Sequence, residues 1–518
     1  MYDYIVVGAG SAGCVLAARL SEDADVRVLL VEAGPADDAR EIHVPAAFSQ
    51  LFQTKYDWSY LSACEPGLDG RRRFLPRGRM LGGSSSMNAM IYIRGNRRDY
   101  DAWAAAGAER WGWDDVLPYF LRAEDFQGRT SPWHGTGGPL TVSEGRSRHP
   151  LMAAYVAAAQ EAGHPFTADF NGPEQDGVGY YHLTQRDGLR CSTAVGYLRP
   201  ALPRPNLEVL TGARCTRVLF DGDRATGVEL DRAGEPVQLR AEREVVLSAG
   251  AYNSPQLLML SGIGVADELA AHGITARVDL PVGENLQDHP HVGLSYLTDT
   301  PSLLTAQTPE NVRLLETEGR GPLTSNVGEA GAFHRTRADL DAPDIQVHAT
   351  PVMFHEEGIS PAFDHAFMFG AVLLTPTSRG KVSLRSAIPS AAPHILHNYL
   401  TTEDDRATMV RALRLLLDIA DRPSLRKHRR ADFKVPASAT DADLLAFARR
   451  ELQTLYHPAG TCPIGPVVDH ELRVHGVRGL RVVDASVMPT LVRGNTNAPT
   501  VMIAEKAADL LRDVPAPA

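Results

Sequence analysis

The strongest constraint on the fold is a glycine-rich turn near the start of the chain, Gly8-Ala-Gly-Ser-Ala-Gly13. The apolar run Tyr4 to Val7 precedes it, an apolar-faced segment from Cys14 to Leu20 follows it, and Val26 to Val31 has the composition of a second buried strand. This order is typical of a β-α-β unit, in which the glycines allow a tight turn, close approach to a pyrophosphate and close helix–strand packing. The segment therefore predicts a dinucleotide site, with the phosphates at the helix N-terminus.

Glu32, at the end of the second strand, supports the same site but does not identify the cofactor. A carboxylate about twenty residues after the glycines can accept hydrogen bonds from ribose hydroxyls, in FAD and in NAD alike. Three further segments favour FAD: a small-residue run at 79–88, a strand ending in small residues at 244–255, and a strand ending in Asp484 at 480–489. Each also has a simpler interpretation, as a surface loop, a tight strand-to-helix turn and an aspartate satisfied within its own turn.

Length and cysteine content narrow the class of protein. A chain of 518 residues exceeds the size of one hydrophobic core, so we expect two domains. The five cysteines are odd in number and lack CxxC spacing, which indicates a reducing, cytoplasmic compartment rather than disulfides or structural zinc. His289 and His291 have no third ligand at usable spacing, so we predict no metal. The net charge of −11 disfavours a nucleic-acid partner.

Two basic runs, at 71–73 and 426–430, bear on membrane association. They allow peripheral contact with the inner face of a membrane, although a solvated charged face is the simpler interpretation. The N-terminus lacks the basic and apolar regions of a signal peptide. The longest apolar stretch, at 366–374, is too short to span a bilayer.

Six ordered segments carry a resemblance to a known family. They are VVGAGSAG at 6–13, GRMLGGSSSMNAMIYIRG at 78–95, SAGAYNSPQLLMLSGIG at 248–264, VGENLQDH at 282–289, YHPAGTC at 456–462 and VVDASVMPTLVRGNTNAPTVMIAEK at 482–506. Along nearly its whole length the chain resembles the glucose-methanol-choline (GMC) oxidoreductases, and within them the choline-dehydrogenase-like and alkanol-dehydrogenase branch. The resemblance implies an α/β fold: a Rossmann-like, doubly wound FAD-binding domain (1–295, with loop-rich insertions, and 469–518) and an α+β, sheet-based substrate-binding cap domain (296–468).

The resemblance also implies functional residues. The catalytic base falls on His457, a side-chain type suited to act as base near neutrality. The second catalytic position falls on Asn497, which also fits a helix N-cap before Pro499. The implied FAD-contacting residues are Gly8, Gly10, Ser11, Ala12, Gly13, Glu32, Ala33, Trp58, Arg79, Gly82, Gly83, Ser84, Asn88, Met90, Val218, Ala249, Asp484, Ala485, Asn497, Ala498 and Thr500. Met87 stands where members with covalently attached FAD carry histidine, so non-covalent FAD is expected.

The substrate and the electron acceptor are less constrained. Glu329 matches an acidic residue that lies near the quaternary ammonium group in choline-specific members, whereas Thr375 replaces a histidine of those members, so neutral primary alcohols are favoured over choline. The expected reaction is oxidation of a CH–OH group, with electrons passing to a quinone-type or artificial acceptor. An oxygen-using oxidase and a flavin-containing hydroxynitrile lyase remain as alternatives, and the oligomeric state is open.

Overall fold

The computed structural model describes residues 1–517, and two large sheets organise it. The strands of these sheets are β1 (Tyr2–Val7), β2 (Val28–Val31), β3 (Gly177–Tyr180), β4 (Leu207–Leu210), β5 (Ala213–Asp221), β6 (Arg224–Arg232), β7 (Glu235–Leu247), β8 (Pro290–Leu297), β9 (Ala330–His334), β10 (Ile345–Thr350), β11 (Ala366–Leu373), β12 (Ala431–Lys434), β13 (Gln453–Thr454) and β14 (Leu480–Val482). The longer helices are α1 (Ser11–Leu20), α2 (Arg97–Ala105), α3 (Trp113–Ala123), α4 (Pro150–Glu161), α5 (Gly250–Leu260), α6 (Pro309–Glu318), α7 (Glu403–Ala420), α8 (Asp441–Glu451) and α9 (Asn497–Arg512).

The first sheet is the predicted nucleotide-binding sheet. Its parallel strands lie in the order β4-β2-β1-β7-β14, and the first half of β7 pairs antiparallel with β6, which in turn pairs with β5. The residues of β2 and the last four of β1 are all buried, which explains why these strands are apolar without alternation. Helix α9 packs against α1. The C-terminal segment therefore returns to the sheet that the N-terminus begins.

The second sheet is antiparallel, with strand order β12-β8-β11-β10-β9-β3 and β13 beside β8. Side chains alternate between the faces of a strand. In β8 and β10, the residues Val292, Leu294, Ile345, Val347 and Ala349 belong to the apolar cluster formed with helices α4, α7 and α8. The intervening residues lie on the opposite face, which closes one end of a large cavity. The α/β fold with a sheet-based cap is thus confirmed.

The predicted domain boundaries do not coincide with the sheets. Strand β8 crosses the boundary at residue 295, and β3 pairs with β9 in the second sheet although it lies within 1–295. The pairing of β3 joins residues about 150 positions apart, and such contacts leave no local periodicity to detect. Among residues 1–517, no helix combines the length and apolar composition needed to cross a bilayer.

Candidate active site

One continuous cavity runs from the glycine-rich turn to the second sheet. Residues of the N-terminal turn, the segment 76–91, the start of α5, the segment 453–458 and the start of α9 line it. Side chains of β8, β10 and β11 close its far end. We call the two ends the nucleotide end and the cap end. The cavity thus connects the predicted cofactor site with the predicted substrate domain.

The glycines at the nucleotide end are required by close backbone contacts. Gly8 has φ +98°, and a Cβ on it would lie 2.5 Å from the carbonyl oxygen of Ser248. A Cβ on Gly13 would lie 1.8 Å from the oxygen of Gly8, so this glycine allows α1 to pack on the turn and does not itself line the cavity. A Cβ on Gly83 would lie 2.6 Å from the Cα of Gly10. Two glycine-containing loops therefore meet at the cavity, and no side chain covers their backbone at the glycines. A pyrophosphate can approach such a backbone closely.

Two buried carboxylates hold the loops of the nucleotide end. Glu32 accepts hydrogen bonds from the backbone N–H groups of Ala9 (2.9 Å) and Gly34 (2.8 Å), and burial raises its pKa to about 7. Asp484 accepts from the N–H of Gly250 (2.9 Å) and the hydroxyl of Ser254 (2.6 Å). Both carboxylates line the cavity. They position the surrounding backbone, and their remaining lone pairs can accept hydrogen bonds from the hydroxyl groups of a sugar or ribityl chain.

Most of the predicted cofactor contacts line the cavity. They are Gly8, Gly10, Ser11, Ala12, Glu32, Ala33, Trp58, Gly83, Ser84, Asn88, Met90, Ala249, Asp484, Ala485, Asn497 and Thr500. Gly13, Gly82, Ala498, Arg79 and Val218 do not. The Arg79 guanidinium lies over the Trp58 ring, with Cζ 5.2 Å from the ring centroid, while Arg77 reaches the cavity instead. Val218 points into the core, and residues 213–215 of the same strand line the cavity.

His457 lies deep in the cavity, and a chain of hydrogen bonds determines which of its nitrogens can act as a base. The Nε2 of His289 lies 3.1 Å from the carbonyl oxygen of Leu374, and a carbonyl can only accept, so this nitrogen carries the proton. Burial lowers the pKa of His289 to about 4, so its Nδ1 has a lone pair that accepts from Nδ1 of His457 at 3.0 Å. Burial, with His289, His348 and Arg77 nearby, also holds the pKa of His457 well below its usual range. The Nε2 of neutral His457 is therefore left with a lone pair.

Asn495, rather than Asn497, lies beside this lone pair. The amide nitrogen Nδ2 of Asn495 is 3.3 Å from Nε2 of His457. Asn497 instead accepts a 2.7 Å hydrogen bond from the hydroxyl of Ser11 at the glycine-rich turn. The predicted pairing of His457 with Asn497 is therefore wrong. Asn497 is also the first residue of α9 and not its N-cap, which is Thr496.

Asp288 holds the backbones of both histidines. Its carboxylate accepts from the N–H of His289 (2.9 Å) and the N–H of His457 (2.8 Å). The hydroxyls of Thr454 and Tyr399 donate to its second oxygen. Four donors satisfy this buried carboxylate, so it acts as a rigid clamp that joins two segments 168 residues apart in the chain.

The cap end is apolar and carries neutral histidines. His291 and His348 line it, and burial lowers their pKa values to about 4 and about 3. A Cβ on Gly370 would lie 2.1 Å from Nε2 of His291, so this glycine makes room for the ring. Among the described residues that line the cavity, the acidic ones are Glu32 and Asp484, at the nucleotide end. The cap end therefore offers no counter-charge to a cationic substrate.

Glu329 does not line this cavity, contrary to its predicted role at the substrate. Its carboxylate accepts hydrogen bonds from the hydroxyls of Ser147 (2.8 Å) and Ser325 (2.6 Å) and from the N–H of His149 (2.7 Å). It precedes β9 and ties the surrounding loops together. The motif SNVGEAGAF resembled a ligand site in sequence, but these three donors already satisfy the carboxylate.

Three residues that line the cavity have a strained backbone. Met90, Val327 and Tyr456 adopt positive φ angles of 58°, 70° and 67°, and all three line it. For a β-branched residue such as Val327 this conformation is rare. Such strain persists where the surrounding structure over-determines the backbone, which is common at functional sites.

Three of the seven arginine and lysine residues in the basic runs 71–73 and 426–430 pair with acids. Arg73 pairs with Glu357, and Arg430 pairs with Asp299 and Asp364. Arg429 pairs with Asp421 and Asp432. Pairing with acids neutralises part of the charge of these runs, which supports the interpretation of a solvated charged face.

Comparison with known proteins identifies the family of the chain. The model of the GMC oxidoreductase N-terminal region matches residues 2–291, and that of the C-terminal region matches residues 376–504. The chain is 44% identical to an alcohol dehydrogenase [acceptor] of Pseudomonas putida, covering 99% of this chain and 96% of the relative. It is 44% identical to mitochondrial choline dehydrogenase of Mus musculus, covering 99% and 90%.

A solved structure agrees over the whole chain. Formate oxidase of Aspergillus oryzae RIB40, solved to show the effect of a mutation on FAD modification, superposes with a TM-score of 0.93 at 28% identity. The superposition covers 99% of this chain and 98% of the other. The protein is an oxidoreductase that belongs to the GMC oxidoreductase family.

Proposed function

We propose that this protein oxidises a neutral primary alcohol with FAD as cofactor, His457 acting as base and Asn495 as hydrogen-bond donor to the same oxygen. The observation that carries the proposal is the 3.3 Å approach of Asn495 Nδ2 to the His457 Nε2 lone pair inside the cavity. An acceptor and a donor side by side can bind one hydroxyl group, which donates to His457 and accepts from Asn495. The family membership supports the same reaction.

The residues at the nucleotide end fit FAD. The bare glycine backbones at Gly8 and Gly83 suit the pyrophosphate, while Glu32 and Asp484 can bind its hydroxyl groups. When bound, FAD supplies the acceptor for the hydride that leaves the alcohol carbon. The loops around Gly10 and Asn497 would hold it between the turn and the cap end.

The chain's own residues handle the proton. His457 accepts the hydroxyl proton on Nε2, which its hydrogen bond to His289 leaves unprotonated. Asn495 stabilises the negative charge that develops on the oxygen as the proton leaves. The N-terminus of α9, at Asn497, also lines the cavity, and its positive dipole end favours negative charge there.

The cap end favours uncharged substrates, and this preference can be tested directly. We expect neutral medium-chain or aromatic primary alcohols to reduce the flavin with higher kcat/KM than choline, because no carboxylate lines the cap end to offset desolvation of a quaternary ammonium group. The measurement is anaerobic bleaching of flavin absorbance across a panel of alcohols. Choline reacting faster than every neutral primary alcohol in the panel would contradict the proposal.

Non-covalent binding of FAD is a separate expectation. Met87 lines the cavity and stands where the resemblance places the histidine of members with covalently attached FAD, and a thioether cannot form that histidyl link. Acid or heat denaturation should therefore release all of the flavin into the supernatant after precipitation of the protein. Flavin absorbance that remains with the washed, unfolded polypeptide would show that another side chain forms a covalent bond.

The proposed electron acceptor is of the quinone type, and one relative is named alcohol dehydrogenase [acceptor], without the acceptor being specified. Oxygen consumption during turnover would assign the protein instead to the oxidases. Cyanide release from a cyanohydrin without a change in flavin absorbance would assign it to the lyases.

A further inference from the structure

We infer that Gln346 and Tyr181 are positioning residues for the proposed reaction, because they determine which end of the Asn495 amide faces His457. The inference deepens the proposed function and rests on it. Neither Gln346 nor Tyr181 is among the residues that line the cavity. Both side chains are fully enclosed, with 0% and 1% of their surface exposed, so water does not interrupt their hydrogen bonds.

The chain of hydrogen bonds begins at a backbone carbonyl in strand β10. The hydroxyl of Tyr181 donates to the carbonyl oxygen of Val347 at 2.8 Å, so its only proton is used there. The Tyr181 oxygen can then only accept, and Nε2 of Gln346 donates to it at 3.1 Å. The second hydrogen of the same Gln346 nitrogen is directed to Oδ1 of Asn495, also at 3.1 Å. Asn495 therefore presents Nδ2, its donor end, to His457.

A second chain of hydrogen bonds reaches the contact between Asn495 and His457, and it ends in an acceptor where the first ends in a donor. It runs from the carbonyl of Leu374 through His289 and ends in the lone pair on Nε2 of His457. The Leu374 carbonyl follows directly after β11, which pairs with β10, so both chains start from one sheet. Donor and acceptor thus meet at the 3.3 Å contact between Asn495 and His457.

The opposite orientation of the Asn495 amide is disfavoured at both of its ends. Turned over, its Oδ1 would face the lone pair of His457, and its Nδ2 would face the N–H of Gln346. Each of these contacts would set two groups of like polarity against each other, and the enclosed N–H of Gln346 would have no water as a substitute partner. Gln346 therefore keeps the donor in the position from which it can reach the substrate oxygen.

Gln346 leaves one buried polar atom without a hydrogen bond, which an apolar side chain of the same size would avoid. Its Oε1 has no hydrogen-bond partner among the described residues. A methionine of similar size would fill the same space without an unpartnered oxygen. The glutamine offers in return an Nε2 group that donates two hydrogen bonds, one to Tyr181 and one to Asn495.

The test uses Gln346→Met, which keeps the bulk, and Tyr181→Phe, which removes only the first link of the chain. Two quantities are measured on the FAD-loaded protein: the anaerobic rate constant of flavin reduction by a primary alcohol, and the Kd of 2-methyl-2-propanol from the change in flavin absorbance. This tertiary alcohol has no hydrogen on its carbinol carbon, so it can bind without being oxidised. We expect Gln346→Met to lower the rate constant about 10- to 100-fold. We expect it to weaken binding about 3- to 10-fold, with smaller changes in the same direction for Tyr181→Phe.

Two matched variants control for general damage to the buried region. Gln185 is a buried glutamine whose Nε2 donates to the carbonyl of Thr324 and contacts the sulfur of Met90, and whose Oε1 is likewise unpartnered; methionine at this position keeps an apolar contact with Met90. Tyr155 is a buried tyrosine of the cap with an unpartnered hydroxyl. Gln185→Met and Tyr155→Phe make the same chemical changes away from Asn495. They should leave both measured quantities within about two-fold of wild type.

A double variant separates positioning from simple destabilisation. In the Asn495→Ala background, Gln346→Met should change the rate constant by less than about two-fold, because the amide that it orients is already gone. A single Gln346→Met variant within two-fold of wild type in both measurements would overturn the inference, as would an undiminished effect in the Asn495→Ala background. If Gln346→Met does not fold, Tyr181→Phe decides in the same way. If no alcohol reduces the wild-type flavin, the proposed function fails, whereas binding of the tertiary alcohol still tests the inference.

Discussion

Replacing His457 with alanine is expected to slow flavin reduction by a substrate alcohol by about 10²- to 10⁴-fold, the usual contribution of a positioned acid–base group. The reason is the lone pair on Nε2, which the hydrogen bonds through His289 keep available beside the amide nitrogen of Asn495. The measurement is the anaerobic rate of flavin bleaching in folded, FAD-loaded protein. Oxidation of the pre-reduced flavin by an artificial acceptor should change little, because that step removes no proton from an alcohol.

A second histidine variant controls for the loss of a buried ring. His334 lies in β9, is as buried as His457 and packs against His164, but it does not line the cavity. The His334→Ala protein should lose stability without a comparable loss in the bleaching rate. Bleaching within a few-fold of wild type in the His457→Ala protein would remove His457 from the mechanism.

Asn495→Ala should slow flavin reduction by about 10²-fold, by analogy with the loss of one donor to a developing oxyanion. Asn497→Ala should act mainly on FAD retention, because its side chain bonds to Ser11 at the glycine-rich turn. The two variants are compared by FAD content after dialysis and by the bleaching rate per bound flavin. A larger loss of bleaching rate in Asn497→Ala than in Asn495→Ala would reverse the assignment drawn from the structure.

The coupling between the two residues of the site can be measured as well. If His457 and Asn495 act on one oxygen, the double variant should lose less than the product of the single losses. Losses that simply multiply would indicate two independent effects.

The nucleotide end was predictable because its determinants are local. Gly8, Gly10, Gly13 and Glu32 lie within one β-α-β unit, and Gly8 and Gly13 each answer a steric requirement of this turn. Asp484 was likewise predictable, since an acid that ends a buried strand at the carboxyl edge of a parallel sheet lies where ligands bind.

The partner of His457 was not predictable from local pattern. Asn495 and Asn497 are two residues apart in GNTNAP, and the first residue of a helix cannot be located that closely from sequence. A signal did exist in the strands. Gln346 and His348 alternate with the apolar residues that face the helices, so both belong to the face opposite the core.

The role of Glu329 shows the opposite limitation. Its charge suggested a ligand for a cation, but three donors from two segments of the chain satisfy the carboxylate. Whether a buried acid serves a ligand or the fold depends on contacts such as the one with Ser147, 182 residues away. Such contacts become visible only in three dimensions.

The most direct test of the central claim is anaerobic mixing of the FAD-loaded protein with a neutral primary alcohol, followed by absorbance and by aldehyde analysis. The proposed reaction predicts bleaching of the flavin with formation of one aldehyde per flavin, and slower bleaching when the alcohol carries deuterium on its carbinol carbon. Flavin absorbance that stays unchanged with every alcohol tested, in protein shown to be folded and loaded with FAD, would contradict it.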